Sequence, residues 1–261
     1  MPFQFFGTSG AIPSAARDNT ALAFYSPEEI VLADCSGSPY QKILKAGLDP
    51  MRVSSLIVTH RHVDHLYGIP SLAHNLGLAG RHTTLHVYAL AETMPFLRGF
   101  LDLFPLEEKM PYRIELHVIL PKEGHPLLQA KGFHIRTTPV KHGAPNVALR
   151  VEFDSPSERG VVVYSSDTSP CPALLALARG ADVLIHEATF LHGEAARAAA
   201  DGHTTGYQAG EVAKQAGVKR LILCHFVASL HDRVEELRRE ARQSFTGPVE
   251  IPEEFREYRL P

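Results

Sequence analysis

The chain has 261 residues with a formal net charge of -3, 44% hydrophobic and 21% charged. That length supports a sizeable core within one layered α/β domain, so residues 1–261 are expected to form a single domain. The charge balance lacks the basic excess of a dedicated nucleic-acid-binding module, and the composition is that of an ordinary globular protein.

The N-terminal stretch MPFQFFGTSGAIPS has neither the basic start nor the long apolar centre of a signal peptide. No apolar run approaches the roughly 18 residues of a membrane span. Cys35, Cys171 and Cys224 give no CxxC pair and no disulfide framework, which fits a reducing cytoplasm. A metal in this chain therefore has to be held by histidine and carboxylate.

In chain order, FQFFG (3–7), TALAFY (20–25) and EIVLAD (29–34) are short apolar runs bounded by Gly, Pro or Asp and predict strands. SPYQKILKAG predicts a short helix, with Ser38 as N-cap and Gly47 as its stop. SSLIVTH is a buried strand ending at His60. The next run has helical spacing at Leu66, Ile69, Leu72 and Leu76, with Pro70 inside its early turns as a point of interruption. TTLHVYA predicts a strand and AETMPFLRGFLDLF a helix; YRIELHVI, GFHIRTTPV and NVALRVEF alternate as strands, and GVVVYSSD is a buried strand ending at Asp167. The last third alternates helix and strand: CPALLALARG, ADVLIHEA, TTGYQAGEVAKQAG capped by Thr204 or Thr205, VKRLILCHF, DRVEELRREARQSF and the closing strand GPVEI. Strand-rich halves with covering helices indicate a layered α/β architecture.

The chemistry concentrates in IVTHRHVDH, residues 57–65, where His60, His62, Asp64 and His65 follow an apolar strand. In an extended segment, alternate residues share a side, so His60, His62 and Asp64 converge while His65 begins the next element and points elsewhere. Four such donors exceed the protein shell of one ion and suit a two-metal site. Three further donors stand where strand-like runs end: His142 after RTTPVK, Asp167 after GVVVYSS and His225 after RLILC. Strand carboxyl ends are where α/β proteins place their sites. GxSxG, P-loop, GxGxxG and HExxH templates are absent from the sequence. FGTSGAIP reads as a turn, and Arg61 and Lys141 flank candidate ligands. The remaining histidines, among them His86 and His117, match no motif.

HRHVDH matches the HxHxDH signature, and with His142, Asp167 and His225 in order the chain resembles the metallo-β-lactamase superfamily. FFGTSGAIPSAARDNTAL, HEATF (186–190) and GHTT (202–205) are similar to elements of its ribonuclease Z branch. The resemblance implies a four-layer αββα sandwich and two zinc ions, with manganese or iron as substitutes. One ion would be held by His60, His62 and His142, the second by Asp64, His65 and His225. Asp167 would bridge them together with a hydroxide that attacks the substrate. It further implies that Asp64 orients or deprotonates the nucleophile, that Glu187 and His203 deliver a proton to the leaving oxygen, and that the protein is a homodimer. Two features depart from that branch. DCSGSPYQK replaces the family's DCGEGTQRQ run, and His142 and Asp167 are 25 positions apart, which holds two strands and the turn DSPSERG but no tRNA-binding arm.

The function expected from this reading is a zinc-dependent phosphodiesterase acting on small or cyclic diesters or short RNA. The alternatives are a tRNA 3′-processing endonuclease and an aryl-sulfatase or other ester hydrolase on the same site. A diiron redox protein of this fold would place a carboxylate where His62 stands and carry a flavin domain. A zinc protein without activity would not need Glu187 and His203 together.

Overall fold

The computed structural model describes residues 2–155 and 158–260. Its first sheet contains β1 (Phe3–Gly7), β2 (Ala21–Tyr25), β3 (Ile30–Ala33), β4 (Val53–Val58), β5 (Leu85–Leu90) and β6 (Ile114–Ile119). A short strand near the C-terminus, β14 (Glu257–Tyr258), pairs with β1, giving the seven-stranded order β14-β1-β2-β3-β4-β5-β6. The second sheet contains β7 (His125–Ala130), β8 (Phe133–Val140), β9 (Asn146–Ser155), β10 (Glu158–Tyr164), β11 (Val183–Glu187), β12 (Arg220–Cys224) and β13 (Val249–Glu250). Its order is β13-β12-β11-β10-β9-β8-β7.

Three apolar clusters separate four layers. Phe3, Phe5, Phe24, Phe133, Phe153 and Tyr164 fill the space between the sheets. The outer face of the first sheet is covered by α1 (Pro39–Lys45), α3 (Ile69–Leu78), α4 (Met94–Leu103) and α5 (Leu106–Lys109). That of the second is covered by α6 (Pro172–Ala178), α8 (Gly206–Ala216) and α9 (Val234–Ser244). This is the αββα sandwich expected from the sequence. Among the described residues, no helix is long and apolar enough to cross a membrane.

Strand direction positions the chemistry. β3 to β6 run parallel, as do β10 to β13, and β8 shares the direction of β10 because each is antiparallel to β9. The carboxyl ends of β3, β4, β8, β10, β11 and β12 are followed within three residues by Asp34, His60, His142, Asp167, Ala188 and His225.

Local differences from the sequence reading have physical causes. The run after His65 is two helices, α2 (Val63–Leu66) and α3, with Pro70 in the first turn of α3, where a missing N–H costs nothing. β7 escaped notice because it is a half-buried edge strand containing Pro126, and β14 because it is two residues long. α5 and α7 (Ala195–Asp201) offer one buried residue each, too little for a visible apolar stripe. The expected turn DSPSERG joins β9 and β10, but Pro156 and Ser157 lie outside the described residues.

α8 begins at the expected cap: Thr205 Oγ1 accepts from Gln208 N at 3.3 Å, and Gln208 Oε1 accepts from Thr205 N at 3.0 Å. Its glycines let α9 approach closely, since a Cβ on Gly210 would lie 2.4 Å from the Ala241 carbonyl oxygen. Gly210→Ala is therefore expected to destabilise the fold by about 1–3 kcal/mol, because backbone has to move. Gly99→Ala, in α4 with open space around its Cβ position, should be neutral or stabilising by up to about 1 kcal/mol. Thermal unfolding of the two variants should shift in opposite directions or differ by several degrees; equal melting points would show that the α8–α9 contact is not close-packed.

Candidate metal centre

The turn after β4 carries His60 and His62 into a common space: His60 Nε2 lies 2.9 Å from His62 Nδ1, which in turn lies 3.1 Å from His142 Nε2. The two-residue alternation stops there, because α2 begins at Val63. Asp64 consequently does not join His60 and His62. It pairs with His65, whose Nε2 is 3.5 Å from Asp64 Oδ2, and with His225, whose Nε2 is 3.8 Å from the same oxygen. His65 does not turn away, as extended geometry had suggested; its ring centroid is 4.1 Å from that of His60.

Asp167 Oδ2 is the centre of the arrangement. It stands 3.7 Å from His60 Nε2, 3.4 Å from His65 Nε2, 4.0 Å from His142 Nε2 and 3.2 Å from His225 Nε2. Two donor groups thus share one rim, His60–His62–His142–Asp167 and Asp64–His65–His225. The seven residues that the sequence singled out are all brought together.

A second ring of contacts fixes which nitrogen faces inward. His65 Nδ1 donates to Asp34 Oδ2 at 2.8 Å, His142 Nδ1 to the Gly202 carbonyl at 2.9 Å and His225 Nδ1 to Thr189 Oγ1 at 3.0 Å. His60 Nδ1 donates to Thr59 Oγ1 at 3.1 Å, while that hydroxyl donates to Asp34. Each imidazole so held turns the Nε2 lone pair toward Asp167. Asp34, Thr59, Thr189 and Gly202 were missed from sequence, although Asp34 gave the same cue as the ligand-type residues: a charged side chain ending an apolar strand.

The residues present fit a divalent cation. Among the described residues, His65 Nε2, His225 Nε2 and Asp167 Oδ1 are buried without a hydrogen-bond partner, a costly state unless an ion receives them. Burial and the neighbouring His65 push the His60 pKa well down, and burial with His142 lowers that of His62, so both rings are neutral donors. Burial opposes ionisation of Asp64, but His225 and His65 outweigh it and hold the carboxyl at about 2. Burial also opposes a charge on His65, yet Asp167 and Asp34 raise its pKa well above the usual value. Positive charge is favoured at that position, where a cation would sit.

Beside this centre, His203 Nδ1 donates to Glu187 Oε1 at 2.8 Å, and the His203 ring lies 5.0 Å from His142 and 5.3 Å from His225. Glu187 is fully buried and its oxygens also accept from Thr168 N, Thr189 Oγ1 and Thr204 N at 2.7, 2.7 and 3.0 Å. Burial lowers the His203 pKa, but the Glu187 carboxylate reverses this and raises it to about 9. His186, on the same strand, instead bonds the Glu187 carbonyl and faces away from this cluster of donors.

Metal analysis after gentle purification tests the geometry. Asp167→Ala is expected to lose metal from both donor groups at once, since its carboxylate touches both. Asp34→Ala should weaken binding about 10–100-fold, chiefly by releasing His65 and also by loosening Thr59 behind His60. Full metal content in Asp167→Ala would remove that residue from the centre.

A model of the beta-lactamase superfamily domain matches residues 30–226. Ribonuclease Z of Methanothermobacter thermautotrophicus is 31% identical over 294 aligned positions, covering 94% of this chain and 92% of that protein. Among solved structures, the metallo-β-lactamase fold protein YhfI of Bacillus subtilis superposes with a TM-score of 0.83 at 24% identity, covering 98% of each chain. The short form of human tRNase Z superposes with a TM-score of 0.81 at 24% identity, covering 100% of each. Sequence kinship, sheet order and the convergence of ligand-type residues at one rim agree, and the chain belongs to the metallo-β-lactamase superfamily in its ribonuclease Z-like branch, as a metal-dependent hydrolase.

Proposed function

We propose that the protein hydrolyses phosphodiester bonds at a centre of two divalent ions, zinc by donor type. His60, His62 and His142 would hold one ion and Asp64, His65 and His225 the other, with Asp167 between them. The observation that carries this reading is the position of Asp167 Oδ2, 3.2–4.0 Å from four imidazole nitrogens of two donor groups. Ions held there would supply Lewis-acid activation of water and charge neutralisation in an in-line displacement.

The chain's own side chains do the remaining work. His203, held protonated by Glu187, gives its proton to the leaving oxygen. Glu187 accepts hydrogen bonds on both oxygens and has no proton to give, so it is a positioning residue. Asp64, beside His65 and His225, would orient the attacking group. The protein would work in the cytoplasm, where its three free cysteines stay reduced, as a single domain assembled into a homodimer.

Sequence placed small diesters first and precursor tRNA second. The relatives weigh toward tRNA, since several that match this chain over most of its length carry the name ribonuclease Z. We therefore propose RNA 3′ ends as the leading substrate class. Small diesters stay as the second reading on a specific observation. Among the described residues, the elements between His142 and Asp167 are β9 and β10 alone. The alignment with the archaeal relative is also longer than this whole chain, so at least 33 of its positions (294 − 261) lie in segments this chain lacks.

Two measurements test the proposal. Protein loaded with zinc should cut a precursor tRNA at one site beside the discriminator base and also turn over an aryl phosphodiester. Turnover of cyclic nucleotides or aryl diesters with no single-site tRNA cut would put the small-diester reading first; activity on an aryl sulfate alone would remove both. His203→Ala should keep its metal but lose about 10²–10⁴-fold in turnover with a poor leaving group and much less with nitrophenolate. The wild-type basic limb should fall at or below about 9, because nearby cations lower the His203 pKa from that value, and should vanish in the variant. An equal loss with both leaving groups would remove His203 as the acid.

A further inference from the structure

Away from the centre, two adjacent strands bring a second set of metal-type ligands together. β5 and β6 are parallel, and their register sets His86 opposite Glu115 and Tyr88 opposite His117. These four side chains therefore share one face of the sheet. His86 Nδ1 lies 3.0 Å from His117 Nε2 and 3.5 Å from Glu115 Oε2, and His117 Nε2 lies 3.9 Å from that oxygen. The side chains are 37%, 44% and 37% exposed for His86, Glu115 and His117, open to an ion from solvent. The Tyr88 ring stacks on His117 at 4.7 Å and 20°, which fixes the imidazole.

From this geometry we infer that His86, Glu115 and His117 form a second, peripheral site for a divalent transition-metal ion, Zn²⁺ by donor type. The two imidazoles are within hydrogen-bond distance of each other, but the carboxylate oxygen sits beyond normal hydrogen-bond length from either, so imidazole hydrogen bonding alone does not tie Glu115 into the triangle. Ligands at 2.0–2.1 Å on a tetrahedral zinc are about 3.3 Å apart, and the observed edges of 3.0, 3.5 and 3.9 Å bracket that value. The fourth position faces solvent. Among the described residues β6 ends the first sheet and pairs only with β5, so an ion here would clip the edge strand to its neighbour. The site is distinct from the centre. His86 pairs with Ser55 of β4, five residues before His60, which is on the order of 16 Å along the strand.

The test uses the full chain, stripped of metal and titrated with Zn²⁺ alone. In an Asp167→Ala background, which disables the main centre, we expect one bound equivalent that becomes at least tenfold weaker when His117→Ala is added. In wild type, zinc should shift the imidazole NMR signals of both His86 and His117, a readout that needs no variant to fold. His117→Ala by itself should leave turnover of an aryl phosphodiester within about twofold of wild type. Equal zinc binding with and without His117, or unmoved signals at excess zinc, would overturn the peripheral site. Neither result bears on hydrolysis, and loss of turnover in Asp167→Ala bears only on the main centre.

Discussion

Everything at the rim answers to one buried carboxylate. Asp167 is 2% exposed and stands among four imidazoles. An unpaired ion in such a place costs several kcal/mol. The imidazoles cannot all protonate to neutralise it, because they face one another at ring separations of 4.1–5.6 Å and each charge would repel the next. A divalent ion would supply positive charge without crowding protons onto facing rings, and it would satisfy the nitrogens left without a partner at His65 and His225. The centre is therefore built for cations, and the protein around it holds together a set of groups that would otherwise separate.

That holding is visible in the backbone. Asp34, Ser166 and His225 adopt left-handed conformations, with φ of 64°, 51° and 60°. Such conformations cost of order 1–3 kcal/mol each in a non-glycine residue. All three stand just past the carboxyl end of a strand, β3, β10 or β12, where the chain must turn sharply to aim a side chain inward. They are over-determined by their partners: Ser166 Oγ lies 2.9 Å from Thr59 Oγ1 and 3.1 Å from Asn146 Oδ1, each within reach of its one O–H, while Asn146 Nδ2 donates to the Asp167 carbonyl at 2.7 Å. Asp34 ties this network to His65. The strain is borne by strands whose other faces lie in fully buried apolar layers, so the centre and the core are parts of one device.

The sequence showed what is local and hid what is relational. HRHVDH is visible because its donors are neighbours in the chain. His142, Asp167 and His225 are visible because each interrupts an apolar run. The partition of donors was not legible from alternation, because a helix begins at Val63 and rotates Asp64 and His65 together toward His225. The supporting ring was also invisible: Gly202 contributes a carbonyl, and Thr59 and Thr189 are ordinary polar residues until the fold puts them behind an imidazole. The His86–Glu115–His117 cluster was hidden for the same reason, since its two halves are about thirty residues apart and meet only through the β5–β6 register. Long strands and helices with clear periodicity were read correctly, and the elements missed were those with little buried surface.

Substrate size turns on where phosphate can be gripped. RNA affinity rests largely on Lys and Arg contacts to phosphates. The segment between β5 and β6, residues 91–113, is a long excursion from the first sheet and a candidate for a clamp. It carries Arg98, Lys109 and Arg113 against Glu92, Asp102, Glu107 and Glu108, and Arg98 is already paired with Glu107 at 2.8 Å. What it presents outward is apolar: Phe96, Leu103 and Phe104 are exposed beside a groove also lined by Tyr67, Pro70 and Phe100. An acidic, apolar excursion does not hold a polyanion. The cations adjacent to the ligands are Arg61, between His60 and His62, and Lys141, before His142, and both are exposed. If the chain hydrolyses phosphodiesters as proposed, Arg61 and Lys141 are the cations next to the first donor group in the chain, and a grip there would suit the end of a strand better than the body of a folded RNA.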